Sequence, residues 1–385
     1  MPQNDQHQIN KSTVTASTQT ATTAANNKAN KANAKQNGNG MGACMRGLAI
    51  IGIFLHNYCH WLGPMVKENE YTFNAENVAG MNRALLHADA HLPLHLLSFF
   101  GHYGVPVFLF LSGFGLFKKY HETYAPVGKF LFGHYLKLFR MMAVGFALFI
   151  FIDAQTPPSW HYDSLKIIAQ LLMFNNLLPR PDKMIWPGPF WFFGLMIQFY
   201  LLYRLMLHRR HWGVTVLVMV LCVLVQLQLS PMSETMNRYR YNFMGGMLPF
   251  GLGLLYARFQ NKFTLWGDDH VKQLGALLIC MPLGYYLSQS FVGWTFVPLV
   301  VCLSVFLTAK LLARATFLAW LYRALCWMGS ISAALFVTHP ITRKLIIPIS
   351  RHGQIYQGLL LYIVASIALA WVIDKLIKHI PLPKC

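Results

Sequence analysis

The sequence predicts an all-helical protein built into a membrane. Of its 385 residues, 55% are hydrophobic and only 12% are charged, whereas soluble domains carry roughly 25% charged residues. Apolar stretches close to the length of a membrane-spanning helix recur from residue 46 almost to the end of the chain. We therefore expect a polytopic membrane helix bundle of about ten transmembrane helices rather than several soluble domains.

Each predicted span is an apolar stretch bounded by polar or turn-forming residues. The ten stretches are 46–63, 97–117, 134–152, 189–207, 212–230, 242–257, 272–289, 291–312, 327–347 and 356–377. An eleventh stretch, Ile167 to Leu178, contains two asparagines and is followed by PRPDK. It is short for a span, so we expect a re-entrant or interfacial segment there.

The positive charge is distributed as a topology signal. The formal net charge is +19, but the 32 Lys and Arg residues lie in short clusters between apolar stretches, which disfavours nucleic acid as a partner. With ten spans and a cytoplasmic N-terminus, most of these cations fall on the inner side. We predict an inner-membrane protein, in contact with membrane lipid, whose two termini are both cytoplasmic.

Two parts of the chain differ in composition. Residues 1–43 are rich in Asn, Thr, Ala and Lys and nearly lack large apolar side chains, so we expect a disordered cytoplasmic tail. Residues 44–385 form the predicted transmembrane domain. The seven cysteines are scattered without C-x-x-C spacing, which predicts neither a disulfide framework nor a zinc site.

The first span carries an unusual set of polar side chains. Arg46 begins it, and His56, Asn57 and His60 follow in its other half. Ionisable groups inside a membrane are costly, and they mark functional sites by default. On a helix, His56 and His60 are one turn apart, and Arg46 lies ~15 Å from His56 along the axis. Singly, Arg46 can be an interfacial anchor and either histidine an interhelical hydrogen-bond partner.

Four motifs occur in order along the chain: RGLAIIGIFLH from Arg46, GVPVFLFLSGFGLFKKY from Gly104, PFWFFGLMIQFYLLYRL from Pro189 and MGSISAALFVTHPITRKL from Met328. Together they resemble the acyltransferase 3 family of integral membrane acyltransferases. The resemblance reaches from Arg46 to about Arg343, and therefore covers nearly the whole predicted membrane part.

The resemblance implies a ten-helix enzyme that moves an acyl group, usually acetyl, from cytoplasmic acyl-CoA to a hydroxyl of an extracytoplasmic carbohydrate or glycolipid. Acyl-CoA is a donor substrate, and no permanently bound cofactor is expected. The essential Arg and His of the family correspond to Arg46 and His56. Histidine can take a proton near neutral pH, and arginine can bind phosphate. The basic segment with Lys118, Lys119, Lys129, Lys137 and Arg140 suits the phosphates of coenzyme A, or serves as a topology signal.

The chain departs from the family pattern at two positions. Only nine residues separate Arg46 from His56 instead of the usual ten, so Asn57 occupies the expected register. Either a local bulge restores His56, or His60 takes part of its role. In the tryptophan segment, Met196 stands where many members have a glutamate. We therefore assign catalysis to His56, Arg46 and His60.

Further polar residues in the spans are candidates for lining the substrate site: Asn57, His102, Trp191, Gln198 and His339. Pro340 follows His339 and frees a backbone carbonyl about one turn earlier, which opens a polar spot in that span. No metal site is predicted. Although His87, His91 and His95 recur every four residues, Pro93 interrupts their helical face.

Two other classes of function are compatible with intramembrane Arg and His. A transporter of a glycan precursor or small anion would use such residues along its substrate pathway, but the polar groups concentrate in the first span and the two halves of the chain do not repeat. An inactive membrane partner of a glycan assembly system would explain the absent glutamate and the shifted histidine.

Overall fold

The computed structural model describes residues 40–123, 125–260, 262 and 269–381. Within them the protein consists of helices joined by short segments, without β-strands. The helices are α1 (residues 40–59), α2 (Ala75–Leu86), α3 (Leu92–Phe100), α4 (Gly104–Tyr120), α5 (Val127–Gln155), α6 (Ser164–Leu171), α7 (Pro181–Met184), α8 (Trp191–Leu202), α9 (Trp212–Gln228), α10 (Glu234–Tyr241), α11 (Phe243–Phe259), α12 (His270–Leu287), α13 (Phe291–Arg314), α14 (Ala319–Ser330), α15 (Ser332–Arg351) and α16 (Ile355–His379).

The protein is a multi-pass membrane protein with fewer clear spans than expected. In the described part of the chain, five helical segments are long and apolar enough to cross a membrane, and a pair bent by 75° makes up to six. They are Leu92–Tyr120, Val127–Gln155, Gly188–Leu207, Phe291–Arg314, Ile355–His379 and the pair Thr316–Ser330 with Ser332–Arg351. The ten predicted spans are thus not confirmed. The helices α9 and α11 have 17 residues each, and polar groups lower the hydropathy of α1.

The two shorter predicted features have definite positions. The stretch from Ile167 to Leu178 forms the end of α6, which has eight residues, and a following 3₁₀ turn. Such a helix is ~12 Å long and cannot cross a hydrocarbon core of about 30 Å. Of the predicted tail 1–43, residues 40–43 are helical and belong to α1, and the remainder lies outside the described residues.

The first helix lies in the middle of the bundle. Cys44, Ile50, Tyr58 and Cys59 on α1 have no exposed surface. This helix contacts α14 through Gly47 and Leu325, and the turn before α4 through Gly52 and Gly101. The hydroxyl of Tyr362 on α16 donates to the carbonyl of Phe54 at 2.8 Å. Elsewhere α15 packs along α16 and α5, and α4 packs along α11. We call the end of the bundle at the N-terminus of α1 the Arg46 end. The end at the C-terminus of α1 is the His60 end. Polar side chains placed on α1 are therefore surrounded by protein.

Candidate active site

A cavity of about 160 Å³ lies beside the C-terminal half of α1. Side chains from several distant parts of the chain line it, which is typical of a ligand site. The lining residues are Ile53, His56, Asn57, His60, Trp61, Asn69, Glu70, Tyr71, His102, Val105, Trp186, Gly188, Pro189, Trp191, Phe192, Tyr241, Phe336 and Arg343.

Three histidines meet in this cavity. The ring of His56 lies 5.1 Å from that of His60 and 5.3 Å from that of His102, measured between centroids. Nδ1 of His56, Nδ1 of His60 and both ring nitrogens of His102 are buried without a hydrogen-bond partner among the described residues. Buried polar atoms normally have a partner. The three rings therefore retain hydrogen-bonding capacity that the described residues leave unused.

The geometry of α1 explains why both of its histidines reach the cavity. The helix is regular through residue 59, with no bulge that would rotate His56. His60 starts the following turn, and its backbone N–H donates to the carbonyl of His56 at 2.8 Å. Asn57 donates from Nδ2 to the carbonyl of Ile53 at 3.0 Å, and its Oδ1 accepts from Arg343 at 3.3 Å. Both histidines, one turn apart, therefore line the cavity without a bulge in the helix.

A glycine contact brings His102 against α1. The 3₁₀ turn Gly101–Tyr103 precedes α4 and passes directly over Gly52 and His56. A Cβ atom on Gly101 would lie 2.5 Å from the carbonyl oxygen of Gly52 and 2.6 Å from Cβ of His56. Only glycine permits this approach, and with it the neighbouring His102 faces His56.

This contact gives a stability prediction. Gly101→Ala forces the backbones apart, and overpacking of this kind costs about 1–3 kcal/mol. We expect a lower melting temperature in tryptophan fluorescence of the detergent-solubilised protein. Gly115→Ala on α4 is the matched control, since a Cβ atom there meets nothing within 4 Å. Equal melting of the Gly101 variant and the wild type would contradict the close contact.

The segment after α1 supplies a carboxylate that was absent from the predicted site. Glu70 lines the cavity. Its backbone is fixed by Asn69, whose Oδ1 accepts from the N–H groups of Tyr71 and Thr72 at 2.8 and 3.0 Å. Nε of Arg240 donates to the carbonyl of Glu70 at 2.6 Å. This segment is therefore held at the His60 end by contacts from within and from α10.

Burial changes the acidity of this carboxyl group. Burial raises the pKa of Glu70 to about 7, against the opposing effects of backbone hydrogen bonding and of the Arg240 charge. A carboxyl group with such a pKa can take up and release a proton near neutral pH. One sequence signal could have indicated it: the chain has only 13 Asp and Glu, and Glu68 and Glu70 follow closely after the two histidines of α1.

The remaining predicted lining residues divide into two groups. Asn57, His102 and Trp191 line the cavity. Gln198 and His339 do not. Gln198 donates to Oδ1 of Asn242 at 2.7 Å and accepts from the N–H of Phe243 at 2.9 Å. His339 has no exposed surface, and its Nδ1 bonds to the carbonyl of Leu335 at 3.0 Å.

Helix α15 reaches the cavity through two other residues, Phe336 and Arg343. Arg343 comes directly after the Thr in the HPITRK string and is only 5% exposed. Its guanidinium group lies 4.7 Å from the ring centroid of Trp61. Arg343 therefore places a buried positive charge on this wall of the cavity, which the sequence pattern alone did not indicate.

A basic cluster lies at the Arg46 end of the bundle. Lys137 on α5 lies within electrostatic reach of Arg46 on α1, Lys119 on α4 and Arg140. Among the described residues, none of these four cations has a carboxylate within 4 Å. Lys118 lies beside the ring of Phe114 at 5.9 Å and is exposed. Cations gathered from three helices form a surface suited to phosphate groups.

In the described part of the chain, no group of three or more His, Cys, Asp and Glu side chains is placed to hold a metal ion.

The fold and cavity define a multi-pass helical membrane protein with an internal histidine site. Residues 43–375 match the acyltransferase 3 family, described as an acyltransferase domain, so the chain belongs to that family. No curated protein and no solved structure matches it.

Proposed function

We propose that the protein is an inner-membrane O-acyltransferase. It transfers an acyl group, most simply acetyl, from cytoplasmic acyl-CoA to a hydroxyl of an exported or cell-surface carbohydrate. Membership of the acyltransferase 3 family supports the reaction class. In this proposal the Arg46 end faces the cytoplasm, both termini are cytoplasmic, and the His60 end faces outward.

The proposal depends mainly on one observation: α1 joins two different sites. Its N-terminal part contributes Arg46 to the basic cluster, and its C-terminal part contributes His56 and His60 to the cavity. The basic cluster suits the phosphates of coenzyme A. An extended pantetheine arm can cover the ~15 Å along α1 from Arg46 to His56. The thioester would then reach the histidines while the nucleotide stays at the cytoplasmic face.

The chemical step follows from the cavity side chains. The acceptor hydroxyl oxygen attacks the thioester carbonyl carbon, a C–O bond forms and the C–S bond breaks. His56 lies between the other two histidines and takes the hydroxyl proton as general base. The protonated His56 then gives this proton to the leaving thiolate of coenzyme A, and the acceptor leaves as an ester. His60 and His102 hydrogen-bond to the reacting groups.

Glu70 has a supporting role in this step. When His56 accepts a proton it becomes a cation in a cavity that already contains Arg343. A carboxylate in the same cavity offsets that charge and favours the protonated histidine. Many family members have a glutamate at the position of Met196. In this chain Glu70 supplies the acidic group instead, from a different part of the sequence.

The role of Glu70 predicts a pH dependence. Because its pKa is about 7, the carboxylate forms as pH rises through 7, and the acyl transfer rate is expected to rise in the same range. Glu70→Gln should lower the rate by about 10-fold or more at pH 8 and abolish the rise that wild type shows near pH 7. Rates of label transfer measured between pH 5.5 and 8.5 provide the test.

The acyl transfer rate is expected to rise with pH, whereas the stability of the folded protein should fall as pH rises. Since the folded-state pKa of Glu70 lies above its unfolded value, the folded protein binds more protons between pH 4.5 and 7, and stability falls as pH rises through this range. Glu70→Gln is therefore expected to raise the melting temperature at pH 8 and leave it unchanged at pH 4. A variant that is slower and less stable at pH 8 would indicate a structural role instead.

The reaction itself is tested with membranes that contain the protein and acetyl-CoA labelled in the acetyl group. We expect label in membrane carbohydrate, released as acetate by mild base because it is an ester. Membranes without the protein provide the background. No base-labile label above that background would contradict the acyltransferase proposal and would favour a transporter or an inactive partner.

A further inference from the structure

A second depression of about 440 Å³ opens at the His60 end, next to the histidine cavity. We call it the outer groove. It shares Trp61, Trp186 and Arg343 with the cavity. Its lining residues are Trp61, Phe149, Thr156, Pro157, Pro158, Ser159, Trp160, Trp186, Arg343, Lys344, Leu345, Ile347, Pro348 and Arg351. A molecule in the groove can therefore extend a group towards the three histidines.

Tryptophans form one wall of the outer groove. The rings of Trp160 and Trp186 stack with centroids 4.9 Å apart, and Trp61 meets Trp186 edge to face at 6.1 Å. Nε1 of Trp160 and Nε1 of Trp186 are buried and have no hydrogen-bond partner among the described residues. Flat apolar faces with unused N–H donors are suited to sugar rings, which combine C–H faces with hydroxyl oxygens.

Three cationic side chains, Arg343, Lys344 and Arg351, also line the outer groove. Arg343 is 5% exposed, and Arg351 donates to the carbonyl oxygen of Trp61 at 3.1 Å. In the described part of the protein, no carboxylate lies within 4 Å of either guanidinium group. The third cation, Lys344, is already paired with the buried Asp153. Asp153 also accepts from the N–H of Trp160 at 2.8 Å and the hydroxyl of Tyr162 at 3.1 Å.

The charge balance at Arg343 is the decisive feature. Its hydrogen bonds go to the carbonyl and Oδ1 of Asn57, at 3.5 and 3.3 Å, and both are neutral acceptors. A buried charge without a counterion is costly, and a bound anion removes that cost. Arg343 lies where the groove and the cavity join. An anion held there would place the neighbouring part of the same molecule beside His56.

We propose that the outer groove binds the acceptor and that the acceptor is an anionic carbohydrate, with its carboxylate or phosphate on Arg343 and Arg351 and a sugar ring on the tryptophan wall. This inference rests on the proposed acyl transfer. Beyond that reaction, it specifies the charge of the acceptor and the residues that recognise this charge. Carboxylate and phosphate share the chemistry that a guanidinium pair recognises.

The product of the reaction provides the test. Membranes containing the wild-type protein are labelled from acetyl-CoA, and the labelled carbohydrate is passed over an anion-exchange resin under conditions that keep the ester intact. We expect retention. Reduction of carboxylates through carbodiimide activation and removal of phosphate by phosphatase, in parallel samples, identify which anion causes it. A labelled but neutral product would overturn the inference and leave the acyl transfer standing, whereas the absence of label contradicts both.

Variants of the two arginines test recognition directly. Arg343→Gln and Arg351→Gln are each expected to raise the KM for the purified acceptor by about 10-fold or more, through loss of a charged hydrogen bond, and to leave the KM for acetyl-CoA unchanged. Arg83→Gln is the matched control, because Arg83 is exposed on α2 and lines neither cavity nor groove. Unchanged acceptor KM values in both groove variants, or a rise in the control as well, would contradict the assignment. Tryptophan-fluorescence melting shows that each variant is folded.

Discussion

Replacing His56 with glutamine is expected to reduce acyl transfer about 10²- to 10⁴-fold, the usual contribution of a general base. Glutamine retains hydrogen-bonding capacity but cannot accept a proton near neutral pH. His56 has the central position among the three histidines, 5.1 Å from the His60 ring and 5.3 Å from the His102 ring. Initial rates of label transfer from acetyl-CoA, at saturating concentrations of donor and acceptor, measure the effect.

Matched variants at the other two histidines locate the base. His60→Gln and His102→Gln are expected to reduce the rate less than His56→Gln, because these residues hydrogen-bond to reacting groups without taking the proton. If His60→Gln were the most damaging of the three, the base would be His60. Full activity in all three variants would remove the chemistry from this cavity altogether. Equal melting temperatures, followed by tryptophan fluorescence, exclude unfolding as the cause.

Replacing Arg46 with glutamine is expected to raise the KM for acetyl-CoA about 10- to 100-fold, with a smaller change in kcat. The reason is the loss of one charged contact to phosphate, worth about 1.5–3 kcal/mol. Acetyl-pantetheine, which carries the same thioester without the nucleotide phosphates, provides a matched substrate. Its KM should be high and nearly equal for the wild type and the variant, since Arg46 acts on phosphate alone.

Arg323→Gln is the control for the donor site. Arg323 is exposed on α14, which packs against α1 at the Arg46 end through the contact of Gly47 with Leu325. Its loss removes the same charge from the same side of the protein without touching the basic cluster. An equal rise in KM for acetyl-CoA in this control would indicate a general surface-charge effect and not a phosphate site at Arg46.

The helical membrane class was predictable because it depends on composition and on stretches of apolar residues. The number of spans was harder to predict. The helices α9 and α11 are short, and α1 carries Arg46, His56 and Asn57. Hydropathy measures the apolar character of a segment, whereas a helix at the centre of a bundle is surrounded by protein and can hold polar groups. Counting spans from hydropathy is therefore least secure for the helix that carries the site.

The part of the site on α1 was predictable, because ionisable residues in an apolar stretch stand out. The remainder depends on contacts between distant parts of the chain. Glu70 is held by Arg240, which is 170 residues away in sequence, and Arg343 reaches the cavity because α15 brings it to Asn57. Gln198 had the sequence signature of a lining residue but is occupied by Asn242 and Phe243. No local pattern separates these cases.

Sealed membrane vesicles test the central claim, that α1 connects a cytoplasmic donor site to an outward-facing histidine cavity. Acetyl-CoA is too highly charged to cross the bilayer, so it reaches only one side. We predict base-labile label on carbohydrate in inverted vesicles, and none in right-side-out vesicles until detergent opens them, with the rate of His56→Gln lowered about 100-fold or more in both. Equal labelling of intact right-side-out vesicles, or an undiminished rate in His56→Gln, would contradict the account.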